Sequence, residues 1–266
     1  MELLAGFGIA LAIALTGVGA GSMTTPVLIL LFGVSPSSAV ATALIFSTIV
    51  KLVAAPVYVF RGQVNKRILL FLFLGGLPGV VIGSLLLNRL KSVADERFLY
   101  GALGMLIVLT AGFQLYRVFW PARRVTDADR SRLLPWLALP IGAEVGFSSA
   151  GAGALGSLVL LGLARLDAAA VIGTDLCFGL GVSLLGSAIQ LGAGNCDPAL
   201  LFKLAAGGIC GAICGSMLCG KLAQKPLRVG LLLTLIFLGF QIAIPRGSQH
   251  SGATSHLSAL IIRHGR

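Results

Sequence analysis

The sequence predicts an all-α polytopic membrane protein made of two homologous halves, and three observations support this prediction. Hydrophobic residues make up 57% of the 266 residues and charged residues only 11%, with a mean hydropathy of +0.99, whereas a soluble domain carries about 25% charged residues. Apolar runs such as residues 68–87 are long enough to cross a bilayer as a helix. Finally, the second half of the chain repeats the pattern of the first.

The internal repeat aligns without a gap in the register that places Gly19 on Gly151. Of the 14 glycines in residues 1–116, seven meet another glycine in this alignment, which is more than the composition explains. The matched positions are Gly19/Gly151, Gly21/Gly153, Thr42/Thr174, Leu44/Leu176, Phe46/Phe178, Gly62/Gly194, Gly75/Gly207, Gly76/Gly208, Gly79/Gly211, Gly83/Gly215 and Ser84/Ser216. A duplicated membrane domain with matching glycine breaks is a frequent plan of secondary transporters, with the substrate site between the repeats.

Several other classes are excluded or disfavoured by composition. The apolar runs lack the alternation of a membrane β-barrel, so helices satisfy the backbone within the bilayer. The net charge of +11 lies in short connections, which is typical of cytoplasmic loops and does not predict nucleic-acid binding. The three histidines lie at positions 250, 256 and 264, and the five cysteines form no CxxC pair, so we expect no enzyme, no cofactor and no metal site.

The elements follow one order in both halves. The first half, residues 1–120, has apolar segments at 3–15, 27–32, 39–60, 68–87 and 98–119, with a break at 16–26. A charged linker follows at 121–132. The second half, residues 133–245, has apolar segments at 133–147, 157–163, 168–191, 198–222 and 227–244, with a break at 148–156. The polar tail at 246–266 is predicted to be disordered.

The first unit of each half is open to three interpretations, namely one broken helix, a re-entrant hairpin or two short helices. A unit that crosses once gives each half four crossings and parallel repeats, whereas the other arrangements give inverted repeats. Arg61, Lys66 and Arg67 flank one connection, whereas the matching connection at 194–198 holds only Asp197, which favours inverted repeats because cytoplasmic loops carry the basic residues. The basic loop at 89–97 and its equally basic counterpart at 221–228 argue the other way.

The two glycine-rich breaks are the predicted substrate site. Glycine lets the backbone approach a ligand closely, and a helix that begins after a break presents free N–H groups, which bind anions. We expect Pro26 to stand in the first turn of that helix. The residues predicted to bind substrate are Thr16, Gly17, Gly19, Gly21, Ser22, Thr25, Lys51, Ser148, Ser149, Gly151 and Gly153. The alternative is tight helix packing, which we favour for the glycines at 75, 79, 83, 207, 211 and 215.

Charged residues inside the predicted spans are the second functional signal. Lys51, Glu144 and Asp175 lie within apolar segments, where ionisable groups are expensive and usually functional or paired. Lys51 would neutralise an anionic substrate, and Glu144 or Asp175 would carry a coupling proton. The alternative is a Lys–carboxylate pair that only holds the halves together.

The order of these motifs resembles the TauE/SafE family of sulfite exporters, also called the toluene-sulfonate uptake permease family. The resemblance rests on the break at 17–26, on the Gly-Val-Ser-Pro at 33–36 and on the Ala-Val-Ala-Thr at 39–42. The second half repeats the pattern with Gly-Ala-Gly at 151–153 and Val-Ile-Gly-Thr at 171–174. It departs from the pattern where Leu158 matches Pro26 and Arg165 matches Gly33, so the two breaks are not equivalent in sequence.

The resemblance implies a bacterial inner-membrane protein that transports sulfite, sulfonates, thiosulfate or other organic anions. Together with the repeat, it predicts a secondary transporter whose partners are a small anion, a proton gradient and the lipid bilayer. The anion would bind between the two breaks and cross by alternating access. The alternatives are an anion channel and a non-transporting membrane scaffold.

Overall fold

The structure is a computed structural model that describes residues 1–16, 19–93, 95–120, 131–150, 155–156, 159–160, 166–195, 197–218 and 224–243. Within these residues the regular secondary structure is helical, as the sequence predicts. The helices are α1 (Glu2–Thr16), α2 (Ala20–Phe32), α3 (Pro36–Phe60), α4 (Lys66–Val93), α5 (Glu96–Phe119), α6 (Leu134–Ser148), α7 (Ala168–Gly192), α8 (Pro198–Leu218) and α9 (Gln224–Ala243). A 3₁₀ turn at Ser131–Leu133 precedes α6.

The long helices have the length and composition of membrane spans. Among the described residues, α3, α4, α5 and the Ala170–Gly192 part of α7 are apolar and long enough to cross a bilayer. Large apolar side chains such as Leu74, Phe202 and Phe237 are more than 60% exposed on the outer surface, where the acyl chains of lipids would cover them. The chain is therefore an integral membrane protein.

Small residues bring two pairs of helices into close contact. Gly75, Gly79 and Gly83 of α4 lie directly against the backbone of Pro135, Leu139 and Ala143 in α6, and a Cβ at any of them would collide. From one contact to the next the residue numbers increase in both helices, so α4 and α6 run parallel. The packing interpretation of these glycines is thereby confirmed.

Helices α1 and α8 form a corresponding parallel pair. Gly207 of α8 lies against Leu3 of α1, and Gly211 lies against Phe7. Each of these contacts has a counterpart in the α4–α6 pair at the aligned positions of the other half, because Gly75 meets Pro135 and Gly79 meets Leu139.

The remaining long helices pair in the opposite sense. In α3 and α7, Tyr58 lies beside Gly173, whereas Thr48 bonds Ser187, so the two helices run antiparallel. Helices α5 and α9 are also antiparallel, since Gly104 of α5 contacts Gly239 and Ala243, while Ala111 packs in a cluster with Leu231, Leu232 and Leu235. In each of these two pairs the partners are counterparts in the sequence alignment of the halves.

Two aromatic side chains fill the interior between the helix pairs. Phe46 of α3 and Phe178 of α7 are completely buried, and their rings lie against Gly208 of α8 and Gly76 of α4. A glycine is needed at each contact because a Cβ would occupy the space of the ring. These contacts fix α3 and α7 in the centre of the molecule.

Candidate functional site

The first glycine break separates two helices. Helix α1 ends at Thr16 and α2 begins at Ala20, with Gly19 in an extended conformation between them (φ −53°, ψ 139°). The Ser22 hydroxyl donates a hydrogen bond to the Gly19 carbonyl at 2.6 Å, which ties the first turn of α2 to the break. The unit therefore contains two helical segments, α1 and α2, on either side of the break.

The expected position of Pro26 is wrong. Helix α2 begins at Ala20, so Pro26 stands in its seventh position and not in the first turn. A proline inside a helix removes the bond to the carbonyl four residues earlier, here that of Ser22. The N-cap of α2 is Gly19, whose carbonyl accepts from the Ser22 N–H at 3.2 Å, so the helix begins inside the predicted break and before the proline.

The second break begins where α6 ends. Ser149 follows the last helical residue and has a left-handed backbone conformation (φ 63°, ψ 0°), which a residue other than glycine rarely adopts. Its N–H still bonds the Val145 carbonyl at 2.8 Å. The Ser148 hydroxyl donates to the Glu144 carbonyl at 3.1 Å and accepts from the Ala150 N–H at 3.3 Å.

The two breaks lie against each other. The hydroxyls of Thr25 and Ser149 are 2.6 Å apart, the Thr25 hydroxyl also donates to the Ser148 carbonyl at 3.2 Å, and the Ser149 hydroxyl donates to the Gly21 carbonyl at 3.0 Å. Gly21 has no room for a side chain because the Ser149 carbonyl occupies that space. The structure thus brings together four residues that lie in opposite halves of the sequence.

Lys51 and Asp175 form a second polar centre between α3 and α7. Both are about 95% buried and interact electrostatically. The Lys51 ammonium donates to the Gly179 carbonyl at 3.2 Å and to the Ser183 hydroxyl at 3.3 Å. The carboxylate of Asp175 lies against Gly156, where a Cβ would collide with it, so this centre adjoins the end of the second break.

Three hydroxyl residues of this centre were missed by the sequence analysis. Thr48 bonds Ser187 at 3.1 Å, and Ser187 donates to the Ser183 carbonyl at 2.6 Å. Single serines and threonines in apolar helices usually bond only their own backbone, so they attract little notice. Their positions relative to Lys51 could have identified them as site residues. Thr48 lies one turn from Lys51, and Ser183 is the counterpart of Lys51 in the second half.

Glu144 lies apart from the pair of charges. It is half-buried on α6, its side chain is hydrogen-bonded by Thr110 of α5, and its Oε1 has no hydrogen-bond partner among the described residues. It therefore faces α5, one turn before Ser148, whereas Asp175 faces Lys51.

Some predicted site residues cannot be compared with the structure. Gly17, Gly151 and Gly153 lie outside the described residues, as does most of the linker and the whole tail, and only the backbone of Thr16 is described. In the part of the chain that the structure covers, no group of three or more His, Cys, Asp or Glu residues could hold a metal ion.

Comparison with known proteins gives a consistent result. The model of the family described as "Sulfite exporter TauE/SafE" matches residues 2–242. The chain is similar to "Probable membrane transporter protein YjnA" of Bacillus subtilis (strain 168), with 27% identity over 90% of this chain and 98% of the relative. It is also similar to "Probable membrane transporter protein YtnM" of the same organism, with 26% identity over 79% of this chain and 71% of the relative. No solved structure matches significantly.

Proposed function

Because the chain belongs to the TauE/SafE family of sulfite exporters, we propose that this membrane transporter is a secondary transporter that moves a small sulfur-containing or organic anion. Sulfite, a sulfonate and thiosulfate all present several oxygen or sulfur acceptors and a negative charge. A site for them needs hydrogen-bond donors and positive potential in a place shielded from water. The contact between the two breaks, together with the buried Lys51 and Asp175 that adjoin the end of the second break at Gly156, is the observation that carries the proposal.

The two centres offer complementary groups for such an anion. The hydroxyls of Thr25 and Ser149 are buried and can rotate from their mutual bond to a ligand. The Lys51 ammonium has three N–H donors. It donates hydrogen bonds to neutral oxygens of Gly179 and Ser183, and an incoming anion would compete with Asp175 for its charge. Its charge makes Lys51 the residue that favours an anion over a neutral solute.

The transport step proposed here is alternating access between inverted halves. The antiparallel pairing of α3 with α7, which are counterparts in sequence, supports inversion, because parallel repeats would cross the membrane in the same direction. The contacts of α8 with α1 repeat those of α4 with α6 at aligned positions of the two halves. This correspondence supports a two-fold relation between the halves. Such a relation provides two conformations, each open to one side of the membrane.

The proposed coupling ion is the proton. Asp175, beside Lys51, and Glu144, one turn before Ser148, are carboxyl groups within membrane helices, which are the usual carriers of protons in transporters. Asp175 would exchange a proton as the anion approaches Lys51, because both compete for the same positive charge. Glu144 would do so through the end of α6, which carries Ser148 and Ser149.

The test is flux into proteoliposomes of sulfite, thiosulfate, a small sulfonate and sulfate, with and without a pH gradient. We expect saturable flux of one or more sulfur anions that responds to the gradient. A channel would give a flux that does not saturate with anion concentration and is not coupled to the pH gradient, and a scaffold would give no flux. If none of the four anions shows saturable flux, the sulfur-anion proposal is wrong.

The same assay tests the site. Replacing Ser149→Ala removes the hydroxyl bonds to Thr25 and Gly21, and we expect the KM for the transported anion to rise about tenfold, as for the loss of one hydrogen bond to a charged ligand. Thr234→Val is the control, because its hydroxyl is exposed and bonds only its own helix. Equal KM values for the two variants would place the anion elsewhere.

A further inference from the structure

Two short connections have the same turn geometry but make different contacts. We name residues 61–65, between α3 and α4, loop A, and the described residues 193–195 and 197, between α7 and α8, loop B. Gly62 and Gly194 have φ values of 66° and 69°. The Gln63 N–H bonds the Tyr58 carbonyl at 2.9 Å, and the Asn195 N–H, its counterpart, bonds the Gln190 carbonyl at 3.2 Å.

Loop A is docked on the beginning of α7. The Asn65 N–H donates to the Thr174 hydroxyl at 3.0 Å. The Gln63 carbonyl lies directly against Gly173, where any side chain would collide with it. The absence of a Cβ at position 173 is therefore what lets loop A approach α7.

The corresponding place on α3 differs in one methyl group. Ala41 stands where α7 has Gly173, and Thr42 stands where it has Thr174. Both are completely buried, and the Thr42 hydroxyl has no hydrogen-bond partner among the described residues. A buried hydroxyl without a partner is unfavourable, and the Ala41 methyl group occupies the position that the loop carbonyl takes in the other half.

Loop B is instead attached to the end of α4. The side chain of Asn195 donates to Asn88 at 3.0 Å and to Gln190 at 2.9 Å, and it accepts from the Lys91 ammonium at 2.5 Å. Asp197 caps the start of α8, accepting from the Ala199 N–H at 3.0 Å, as Asn65 caps α4. Loop B thus has the groups needed to dock as loop A does, but its receptor hydroxyl on α3 bonds none of the described residues.

We propose that loops A and B are the two gates of the transporter, and that loop B closes by docking the Asp197 N–H on the Thr42 hydroxyl. This inference rests on the proposed alternating-access function. In the structure loop A is docked on Thr174, whereas loop B is not docked on Thr42, whose side chain is covered by other parts of the chain, so docking of loop B requires those parts to move aside. In the opposite state loop B docks and loop A leaves Thr174. The Ala41 methyl group weakens docking of loop B, so the state with loop A closed is the resting one.

The first test is hydrogen–deuterium exchange of the purified full chain without substrate, comparing wild type with Ala41→Gly. In wild type we expect the Asn65 amide to exchange at least about tenfold more slowly than the Asp197 amide. The reason is that the Asn65 amide is hydrogen-bonded in a docked loop, whereas loop B is not docked. Ala41→Gly should slow exchange at Asp197 and accelerate it at Asn65. Equal exchange in wild type, or an Asp197 amide that Ala41→Gly leaves unchanged, would overturn the proposal.

The second test compares Thr42→Val with Thr174→Val. Thr174→Val leaves the Asn65 N–H without its acceptor and should lower the Tm. Thr42→Val replaces a buried hydroxyl that lacks a described partner with a methyl group, and it should keep or raise the Tm while lowering the maximal flux several-fold at unchanged KM. A Tm loss equal to that of Thr174→Val, an unchanged flux or a selective rise in KM would each contradict the gate.

The two proposals can fail separately. If the wild-type chain moves none of the sulfur anions, the proposed function fails, whereas the exchange experiment still decides whether the two loops dock reciprocally. If flux is present and exchange at the two loops does not respond reciprocally to Ala41→Gly, the transport function stands and the gate assignment fails.

Discussion

The charge of Lys51 is costly to keep inside a membrane protein, and its surroundings only partly compensate for it. Two neutral oxygens and the field of Asp175 stabilise the ammonium. Removing one member of a buried pair leaves the other charge uncompensated, which costs about 3–5 kcal/mol, whereas replacing both members can be nearly neutral. A purely structural pair and a substrate-binding lysine therefore predict different results when both charges are removed.

We expect Lys51→Met to abolish anion transport and to lower the Tm, and we expect Lys51→Met combined with Asp175→Asn to recover the Tm but not transport. The physical reason is that the double variant has no unpaired charge and also no cation for the anion. Thermal unfolding in detergent and proteoliposome flux on the same preparations measure the two effects. Recovery of transport in the double variant would mean that the pair is only structural.

At the level of helices, the glycine pattern carried most of the predictive information. The sequence placed breaks at 16–26 and 148–156. Helices α1 and α6 end where these breaks begin, at Thr16 and Ser148, but α2 begins at Ala20, inside the first predicted break. It also predicted that Gly75, Gly79 and Gly83 are packing residues, because a four-residue spacing puts them on one helix face. The partner of that face was not predictable, since the contact with α6 depends on the tertiary arrangement.

The contacts between the breaks were only partly predictable. The repeat indicated that the two breaks belong together, but the bonds that join Thr25 to Ser149 connect residues that are not counterparts. The start of α2 was misjudged because proline was taken as the marker of a helix beginning, whereas the N-cap is Gly19, seven residues before Pro26. The hydroxyl bonds between the breaks depend on the tertiary arrangement, and their partners cannot be inferred from spacing.

We predict that Gly79→Ala destabilises the pairing of α4 with α6. A Cβ at this position would collide with the Leu139 carbonyl, and overpacking of this kind typically costs about 1–3 kcal/mol. Gly101→Ala on α5 is the control, because no atom of the described residues lies within 4 Å of its Cβ position. Thermal unfolding should show a lower Tm for Gly79→Ala and no loss for Gly101→Ala. Equal Tm values would mean that α4 and α6 do not pack this closely.

The orientation of the whole molecule follows from the ends of α4. Loop A precedes α4, while Asn88 and Lys91 at its other end bond Asn195 of loop B. A helix of 28 residues is about 42 Å long at 1.5 Å per residue, which exceeds the hydrocarbon thickness of about 30 Å. Loops A and B therefore lie at opposite ends of α4, which is the arrangement that the proposed inverted halves predict.

Charge then assigns a side to each loop. Sequence alone left the orientation open, because the basic loop at 89–97 has an equally basic counterpart at 221–228. If the halves are inverted as proposed, the comparison is between Arg61, Lys66 and Arg67 near loop A and the single Asp197 of loop B. The positive-inside rule favours loop A in the cytoplasm and loop B outside.

We predict that Ala193→Cys is labelled from outside the cell and that Arg61→Cys is not. The two positions are counterparts and both are exposed, so they form a matched pair in a background whose five native cysteines are replaced. A membrane-impermeant maleimide should label Ala193→Cys in intact cells, and Arg61→Cys only after permeabilisation. The reverse result would invert the orientation and keep the halves inverted, because the loops would still be on opposite sides. Labelling of both from outside would contradict inverted halves, since counterpart loops on the same side require parallel repeats.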